Sequence, residues 1–483
     1  MASMAAMNPA GGKRTGDISD SFASLSGKEA QPLPDRFRQL KLELVRGHED
    51  AVVASWKRLL ATLRKENDDI SRKGSSIVPT LRFDRLDEDL DKNRHEIKRR
   101  GVAVVRGVIP EDEARAYKFE IEEYVRRNPQ TRGFPADNPQ VIELYWSSPQ
   151  IRARMHPSLL TTQTALMTSL WHARNPDSPV SLRTSLSYAD RLRIRRPGDT
   201  QFALGPHQDG GSVERWESQG YGRGGVYDAV FRGDWESYDP FDASSRLGAV
   251  TNLYDGLGAA SMFRMFQGWL AMSRTGPGEG TLLVNPLARE ATVYSLLRPF
   301  FRPRRPLGHT ISPERYLDAN NWEFTGGDKM TSDIQGATPG HGQEFPEGLH
   351  PHLELDKTMV HMPKVKPGDY VLWHCDTIHA VDKTHGGTSD SSVLYIPVCP
   401  TTEANARYVA RQRDTFLHGT PAPDFPGGEG EATHIGRPTV EHVKQYAEPR
   451  GTQSFGLDTL VAVDGDTPGG VEAIKRANVM LGL

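Results

Sequence analysis

Residues 204–211 read Leu-Gly-Pro-His-Gln-Asp-Gly-Gly, and the rest of the chain is best read outward from them. His207 and Asp209 stand at positions i and i+2. On a β-strand successive side chains alternate, so this spacing puts the imidazole and the carboxylate on one face. Gly205, Gly210 and Gly211 leave open space around them. One imidazole and one carboxylate are two of the three ligands of a facial triad, the arrangement that holds ferrous iron with open positions. A lone His-x-Asp is equally what a hydrogen-bonded surface pair looks like, so the reading turns on a third ligand elsewhere.

The candidate lies in residues 366–381, Lys-Pro-Gly-Asp-Tyr-Val-Leu-Trp-His-Cys-Asp-Thr-Ile-His-Ala-Val. Pro367-Gly-Asp369 is a tight turn, Tyr370 to Trp373 is a strand, and His379 stands where a second short strand begins. His374 and His385 are rivals. His374 follows the apolar strand directly and is expected to be a supporting or core histidine.

Outward from these segments, 185–194, 263–273, 280–286, 358–362 and 392–398 read as further strands, with 291–301 a short helix. Residues 208–258 and 302–351 are rich in loop formers. Helices are expected over 35–67, 86–100, 110–127 and 157–173 on one side, and over 402–417, 439–447 and 469–481 on the other. Gly101 should end the second helix ahead of a buried strand, Val102 to Val105. Residues 1–35 read as a mobile tail. No internal repeat is found. The expected organisation is therefore a disordered tail over 1–35 and one domain over 36–483, with a β-rich core at about 185–400.

Composition narrows the functional classes. Of 483 residues, 37% are apolar and 25% charged, and the formal net charge is −3. That balance disfavours a surface built for nucleic acid. Gly and Pro number 46 and 34, above the average shares of about 7% and 5%, which favours turns and loops over a helical bundle. Two cysteines, Cys375 and Cys399, exclude a disulfide scaffold and a four-cysteine zinc site. No stretch approaches the ~18 apolar residues of a membrane span, and the start of the chain has no signal-peptide core. The expectation is a cytoplasmic protein acting on a small molecule, with no nucleic-acid or membrane partner. A homodimer through the N-terminal helices is open.

The triad pattern, with the words YADRLRIRRPGD, LGPHQDGGSVERW, FRMFQGWLAMS, GTLLVNPL, LRPFF, PGDYVLWHCDTIHAV and SSVLYIPVCP, resembles the iron(II)/2-oxoglutarate-dependent oxygenases, and within them the DUF1479 (YbiU-like) family. The resemblance spans roughly 185–400. It implies an α+β protein with a double-stranded β-helix core, a cupin-like jelly roll, carrying a helical N-terminal layer and long loop insertions. It implies His207, Asp209 and His379 as metal ligands and catalytic residues. Iron(II), 2-oxoglutarate and O2 would be the cofactor and co-substrates of a dioxygenase that hydroxylates, desaturates or otherwise oxidises a C–H bond of a metabolite.

One departure stands out. Such oxygenases usually carry an Arg or Lys ten to fourteen residues after the distal histidine, to hold the far carboxylate of 2-oxoglutarate. Here that window holds Ser389-Asp-Ser-Ser-Val393. Arg193, then Arg191, on the strand before the triplet are the replacements considered first, with Arg264 and Arg298 as further options, because a dicarboxylate calls for bidentate arginine. The empty window favours a second reading, a cupin-like metal-dependent hydrolase or isomerase that does not use 2-oxoglutarate. A non-catalytic binding protein is a third, disfavoured by the retained triplet and distal histidine. Trp216, Trp235 and Tyr238 would either wall a substrate pocket or fill the core of their loop. His350 and His352 lack a nearby acid, and Gly326-Gly327 reads as a turn rather than a phosphate loop. The loops at 212–258 and 302–350 are expected to set substrate choice.

Overall fold

Short apolar runs build two sheets, and the pattern of burial shows how they face each other. In Tyr370–His374 all five residues are buried. Val371 and Trp373 join one hydrophobic cluster, while Tyr370 and Leu372 join another. Val102–Arg106 splits the same way, with Val102 and Val104 in the first cluster and Ala103 and Val105 in the second. A strand buried on both faces reads as a continuous apolar run, as these do.

The computed structural model of the protein describes residues 16–26, 31–200, 203–308 and 311–483. Eight strands matter for the site: β1 (Leu192–Arg195), β2 (Leu204–Gln208), β3 (Phe266–Ala271), β4 (Leu282–Val284), β5 (Val360–His361), β6 (Tyr370–His374), β7 (His379–Val381) and β8 (Ser391–Tyr395). The larger sheet has eight strands and contains the run β6-β3-β8-β1. It is extended past β6 by Val102–Arg106 and Thr80–Arg82, and past β1 by Val141–Ile142 and Gly133–Phe134. The smaller sheet has five strands, Gln343–Glu344 followed by β2-β7-β4-β5. All of these pairings are antiparallel except that of Thr80–Arg82 with Val102–Arg106.

The N-terminal helices cover this core. The helix expected over 35–67 is two, Arg36–Leu44 and Glu49–Lys73, broken where Gly47 takes φ +77. Trp56 of the second stacks on Phe301, ring centroids 4.4 Å apart. Leu86–Arg100 stops at Gly101, in the left-handed region at φ +65. A Cβ there would lie 2.6 Å from Ala288 Cβ, so glycine is required both for conformation and for space. Among the described residues no helix is long and apolar enough to cross a membrane.

Two more sequence expectations change. The strand expected over 185–194 is split into Ser181–Leu186, paired with Cys399–Thr401, and β1. Gln412, from the helix Glu403–His418, is the physical reason. Its side chain accepts from Ala189 N (2.7 Å) and donates to Ser187 O (2.9 Å), capturing backbone groups a continuing ladder would use. Residues 1–15 and 27–30 of the expected tail lie outside the described residues. Residues 16–26 are not loose: Asp17 caps the turn Ile18–Ser21, and Phe22 is 5% exposed with its ring 4.7 Å from His207.

The long loop after β2 is held by a buried ionic hub. Asp376, in the β6–β7 connection, accepts from Arg215 Nη1 (2.7 Å) and Arg246 Nη2 (2.5 Å), with Tyr227 and Tyr238 hydroxyls at 3.2 and 3.3 Å. Burial disfavours the charge, yet the two guanidiniums hold this carboxyl far below its usual range. Substituting Asp376 by alanine leaves two buried cations uncompensated, and the expected cost is about 3–5 kcal/mol, read as a lower urea midpoint. A second carboxyl behaves oppositely. Glu431 accepts from Tyr145 N (2.6 Å) and Trp146 N (2.9 Å), and burial pushes it up to about 7 despite those bonds and Arg154. The folded state therefore holds this proton more tightly than the unfolded chain, where a Glu titrates near ~4.3. Its contribution to stability is complete below about pH 4 and is lost as pH rises through about 7, on the order of 4 kcal/mol in all. Glu431→Gln is expected to flatten that part of the stability–pH curve, measured by denaturation between about pH 5 and pH 8.

Candidate metal centre

β2 and β7 are adjacent antiparallel strands, and His207 lies directly opposite His379 in register. Directly paired residues point to the same face, and the two ring centroids are 4.1 Å apart. Asp209 follows the end of β2. The chain then turns through Gly210 and Gly211 at φ +84 and +80, where a Cβ on Gly211 would meet Thr251 O at 2.5 Å. This turn swings the Asp209 carboxylate back toward both rings. Its Oδ1 lies 3.7 Å from His207 Nε2, and its Oδ2 lies 3.8 Å from His379 Nε2. The candidate ligand atoms all fall within 4.8 Å of one another.

The other ring nitrogens explain why these lone pairs converge. His207 Nδ1 lies 2.8 Å from Gly205 O, and His379 Nδ1 lies 3.0 Å from Thr377 O. A carbonyl only accepts, so each Nδ1 carries the proton and each Nε2 presents a lone pair, the second-sphere arrangement seen for metal-binding histidines. Burial, with His207 alongside, pulls His379 down to about 3 and keeps it neutral. Burial works against the Asp209 charge, but His379, His207 and Arg264 outweigh it and hold this carboxyl near about 2. A neutral His379 imidazole and an ionised Asp209 carboxylate are protonation states a divalent cation needs.

His374 shows the contrast. Its Nε2 lies 3.0 Å from Pro240 O, its Nδ1 accepts from Asp376 N at 3.1 Å, and its ring stacks on Trp171. It is a core histidine with no lone pair to spare, although His374, Cys375 and Asp376 form a second compact group. His385 is taken by Ser389 O at 2.7 Å. His350 and His352 are buried among Tyr294, Phe345 and Trp322 and are not part of the triad.

A cavity of about 110 Å³ opens onto the triad. Arg191 and Arg264 line it. Arg191 has Nε 3.3 Å from Asp190 Oδ1 and lies 4.6 Å over the Phe425 ring, while its Nη groups make no hydrogen bond among the described residues. Arg264 Nη2 stands 3.6 Å from Asp209 Oδ2. Arg193 does not line the cavity. It is fully buried 4.3 Å over Trp269, donates from Nη2 to Gly280 O (3.0 Å), and leaves Nε and Nη1 without partners. Arg298 is occupied by the carbonyls of Leu349 and Phe301, away from the cavity.

Trp216, Trp235 and Tyr238 fill their own loop and do not line the cavity; Trp216 donates to Leu296 O and Tyr238 to Asp376. The walls come from Trp269 and Trp373 on β3 and β6, with Gln267, Phe22 and Phe425. Alternation along those strands carries a signal for the tryptophans and Gln267. Phe22 and Phe425 carry none, since both arrive from outside the two sheets.

Comparison with known proteins places the chain. Residues 31–457 match the sequence model of the Gig2-like family. The uncharacterized protein YbiU of Escherichia coli K12 is 31% identical over 419 residues, 83% of this chain and 90% of that protein. The crystal structure of GlcNAc Inducible Gene 2, GIG2 (DUF1479), from Candida albicans matches at TM-score 0.80 and 31% identity, covering 94% of this chain and 96% of that one. A Salmonella typhimurium LT2 structure, described provisionally as an oxidoreductase, matches at TM-score 0.73 and 30% identity, covering 89% and 99%. With nine-tenths of its length aligned to such relatives, the chain belongs to the Gig2-like (DUF1479) family.

Proposed function

We propose that the protein is a non-haem iron(II)/2-oxoglutarate-dependent dioxygenase acting on a small-molecule metabolite. The observation that carries this reading is the convergence of two Nε2 lone pairs and one carboxylate, with both imidazole tautomers set by backbone carbonyls. A facial His-Asp-His set leaves positions for a bidentate oxoacid and for oxygen. The strand orders β6-β3-β8-β1 and β2-β7-β4-β5 support a double-stranded β-helix, with the triad at one end of the smaller sheet.

His207, Asp209 and His379 would hold the metal. The chemistry of such a centre is O2-dependent oxidation of a C–H bond, coupled to decarboxylation of 2-oxoglutarate to succinate. The residues of this chain bind, orient and exclude water. Trp269, Trp373 and Phe22 wall the cavity with aromatic rings. For the far carboxylate of the co-substrate, unpaired donors are the fit that matters, and the buried Nε2 of Gln267 has no partner in the wall. Arg191, whose Nη pair is free at the cavity, replaces the base absent from β8. Arg193 stands behind Trp269 and is assigned a packing role here.

The absence of a basic residue on β8 favours a second reading, a metal-dependent hydrolase or isomerase that does not use 2-oxoglutarate. Anaerobic titration with ferrous iron and 2-oxoglutarate separates the two. The expected result is a weak visible charge-transfer band from the iron–oxoacid chelate, lost in His207→Ala, Asp209→Ala and His379→Ala along with iron binding. Iron that binds without a band selects the second reading. Full iron binding in all three variants sinks both. Arg191→Ala is expected to raise the 2-oxoglutarate Kd about tenfold or more, the loss of one charged hydrogen-bond pair, and Arg193→Ala to leave it within about threefold.

A further inference from the structure

Arg264 is the charged group at the cavity whose role the metal and its co-substrate do not absorb. Its side chain is 10% exposed and makes no hydrogen bond among the described residues. Its contacts are Asp209 Oδ2 at 3.6 Å and the face of Tyr188, 5.7 Å from Cζ to the ring centroid. A guanidinium has five N–H donors, and a nearly buried one normally spends them.

The backbone around it is fixed. Phe263 N donates to Asn405 Oδ1 (2.8 Å), and Asn405 Nδ2 returns a bond to Phe263 O (2.9 Å). Met265 N donates to Val398 O at 2.7 Å. Ser261 N donates to Asp424 Oδ2 (2.8 Å), the same carboxylate oxygen that takes the Tyr188 hydroxyl (2.8 Å). Chain and stacking partner are thus clamped to one scaffold, and the guanidinium is held ready without being satisfied.

Charge counting gives the class of its partner. The charged residues of the cavity wall are Asp190, Arg191, Asp209 and Arg264, with Arg193 behind Trp269. The four wall residues sum to zero, and a divalent cation with a dianionic 2-oxoglutarate leaves that sum unchanged. Asp190 offsets Arg191, and Asp209 would give its charge to the metal, which leaves the Arg264 guanidinium as the wall cation without a hydrogen-bonded counter-charge. Arg264 lies against the ligand-bearing Asp209, Nη2 to Oδ2 3.6 Å, while the Nη pair of Arg191 is the one assigned to the far carboxylate of 2-oxoglutarate.

We propose that Arg264 anchors the carboxylate of the substrate to be oxidised, so that the protein acts on a monoanionic carboxylic acid. This rests on the oxygenase reading and is tested separately from it. The experiment is calorimetric titration of the full chain, loaded anaerobically with ferrous iron and with or without 2-oxoglutarate, using benzoate, benzamide and inorganic phosphate as probes. Benzoate is expected to bind the loaded protein, benzamide to bind at least tenfold more weakly, and Arg264→Gln to lose at least tenfold in benzoate affinity. The same variant should hold 2-oxoglutarate within about threefold, and Arg264→Lys should recover part of the loss.

No benzoate binding up to 50-fold above the 2-oxoglutarate Kd overturns the assignment, as does equal binding by wild type and Arg264→Gln. Phosphate preferred over benzoate overturns the carboxylate. A tenfold loss of 2-oxoglutarate affinity with benzoate unchanged overturns it in favour of a co-substrate role. If benzoate binding depends on Arg264 but no iron–oxoacid band forms, the anchor stands and the oxygenase reading falls.

Discussion

His379 lies opposite His207 across the β2–β7 pair, and the site depends on that register. Side chains alternate along a strand, so a slip of one residue would turn one imidazole away from the other. The smaller sheet alone is a weak guarantee of register, because β7 is three residues long and the β2–β7 ladder shifts between His379 and Val381. What supplements it is the ionic hub. Asp376, three positions before His379, binds Arg215, and Arg215 Nη2 also donates to the backbone oxygen of Asp209 at 2.6 Å. One buried guanidinium thus ties the strand carrying the distal histidine to the segment carrying the carboxylate. Gln208 adds a second tie, donating from its side chain to Asp376 O. The triad is positioned by these side-chain bridges as much as by the ladder.

Why a buried ion cluster should do this work follows from its cost. Desolvating three charges is expensive, and a well-packed apolar group of the same shape would be as stable or more so. An apolar cluster tolerates sliding, whereas Asp376 with two arginines and two tyrosine hydroxyls is satisfied in one arrangement only. The long loop after β2 is therefore ordered by electrostatics, with its tryptophans packing around the hub. That is why Trp216, Trp235 and Tyr238 fill loop core instead of walling the cavity.

The sequence discloses the parts of this design that are local. The i, i+2 spacing of His207 and Asp209 and the turn Pro367-Gly-Asp369 ahead of an apolar strand are visible without any structure. So is the stop at Gly101. The parts it conceals are contacts between distant segments. Gln412 divides an apparently continuous strand from more than two hundred residues away. Arg215 and Arg246 look like ordinary loop arginines until Asp376 is seen between them. Arg193 has the right residue type and alternation for the cavity, yet Trp269, two strands away on β3, lies across its guanidinium. Alternation names a face and does not say what else occupies it.

Phe22 carries the same lesson to the mouth of the site. It belongs to a stretch whose small and polar composition predicts no structure, yet its ring edges His207. Ser21 O accepts from Gly342 N at 2.9 Å, and the Ser21 hydroxyl donates to Leu257 O at 3.0 Å. Leu257 is at the end of the first long loop and Gly342 lies within the second, and both line the cavity. The rim is therefore assembled from three segments that share no strand, held to one another by a few backbone hydrogen bonds over a floor fixed by sheet and hub. Such a rim can vary in shape without disturbing the three groups beneath it. The floor sets which chemistry is available; the rim and Arg264 between them set which molecule receives it.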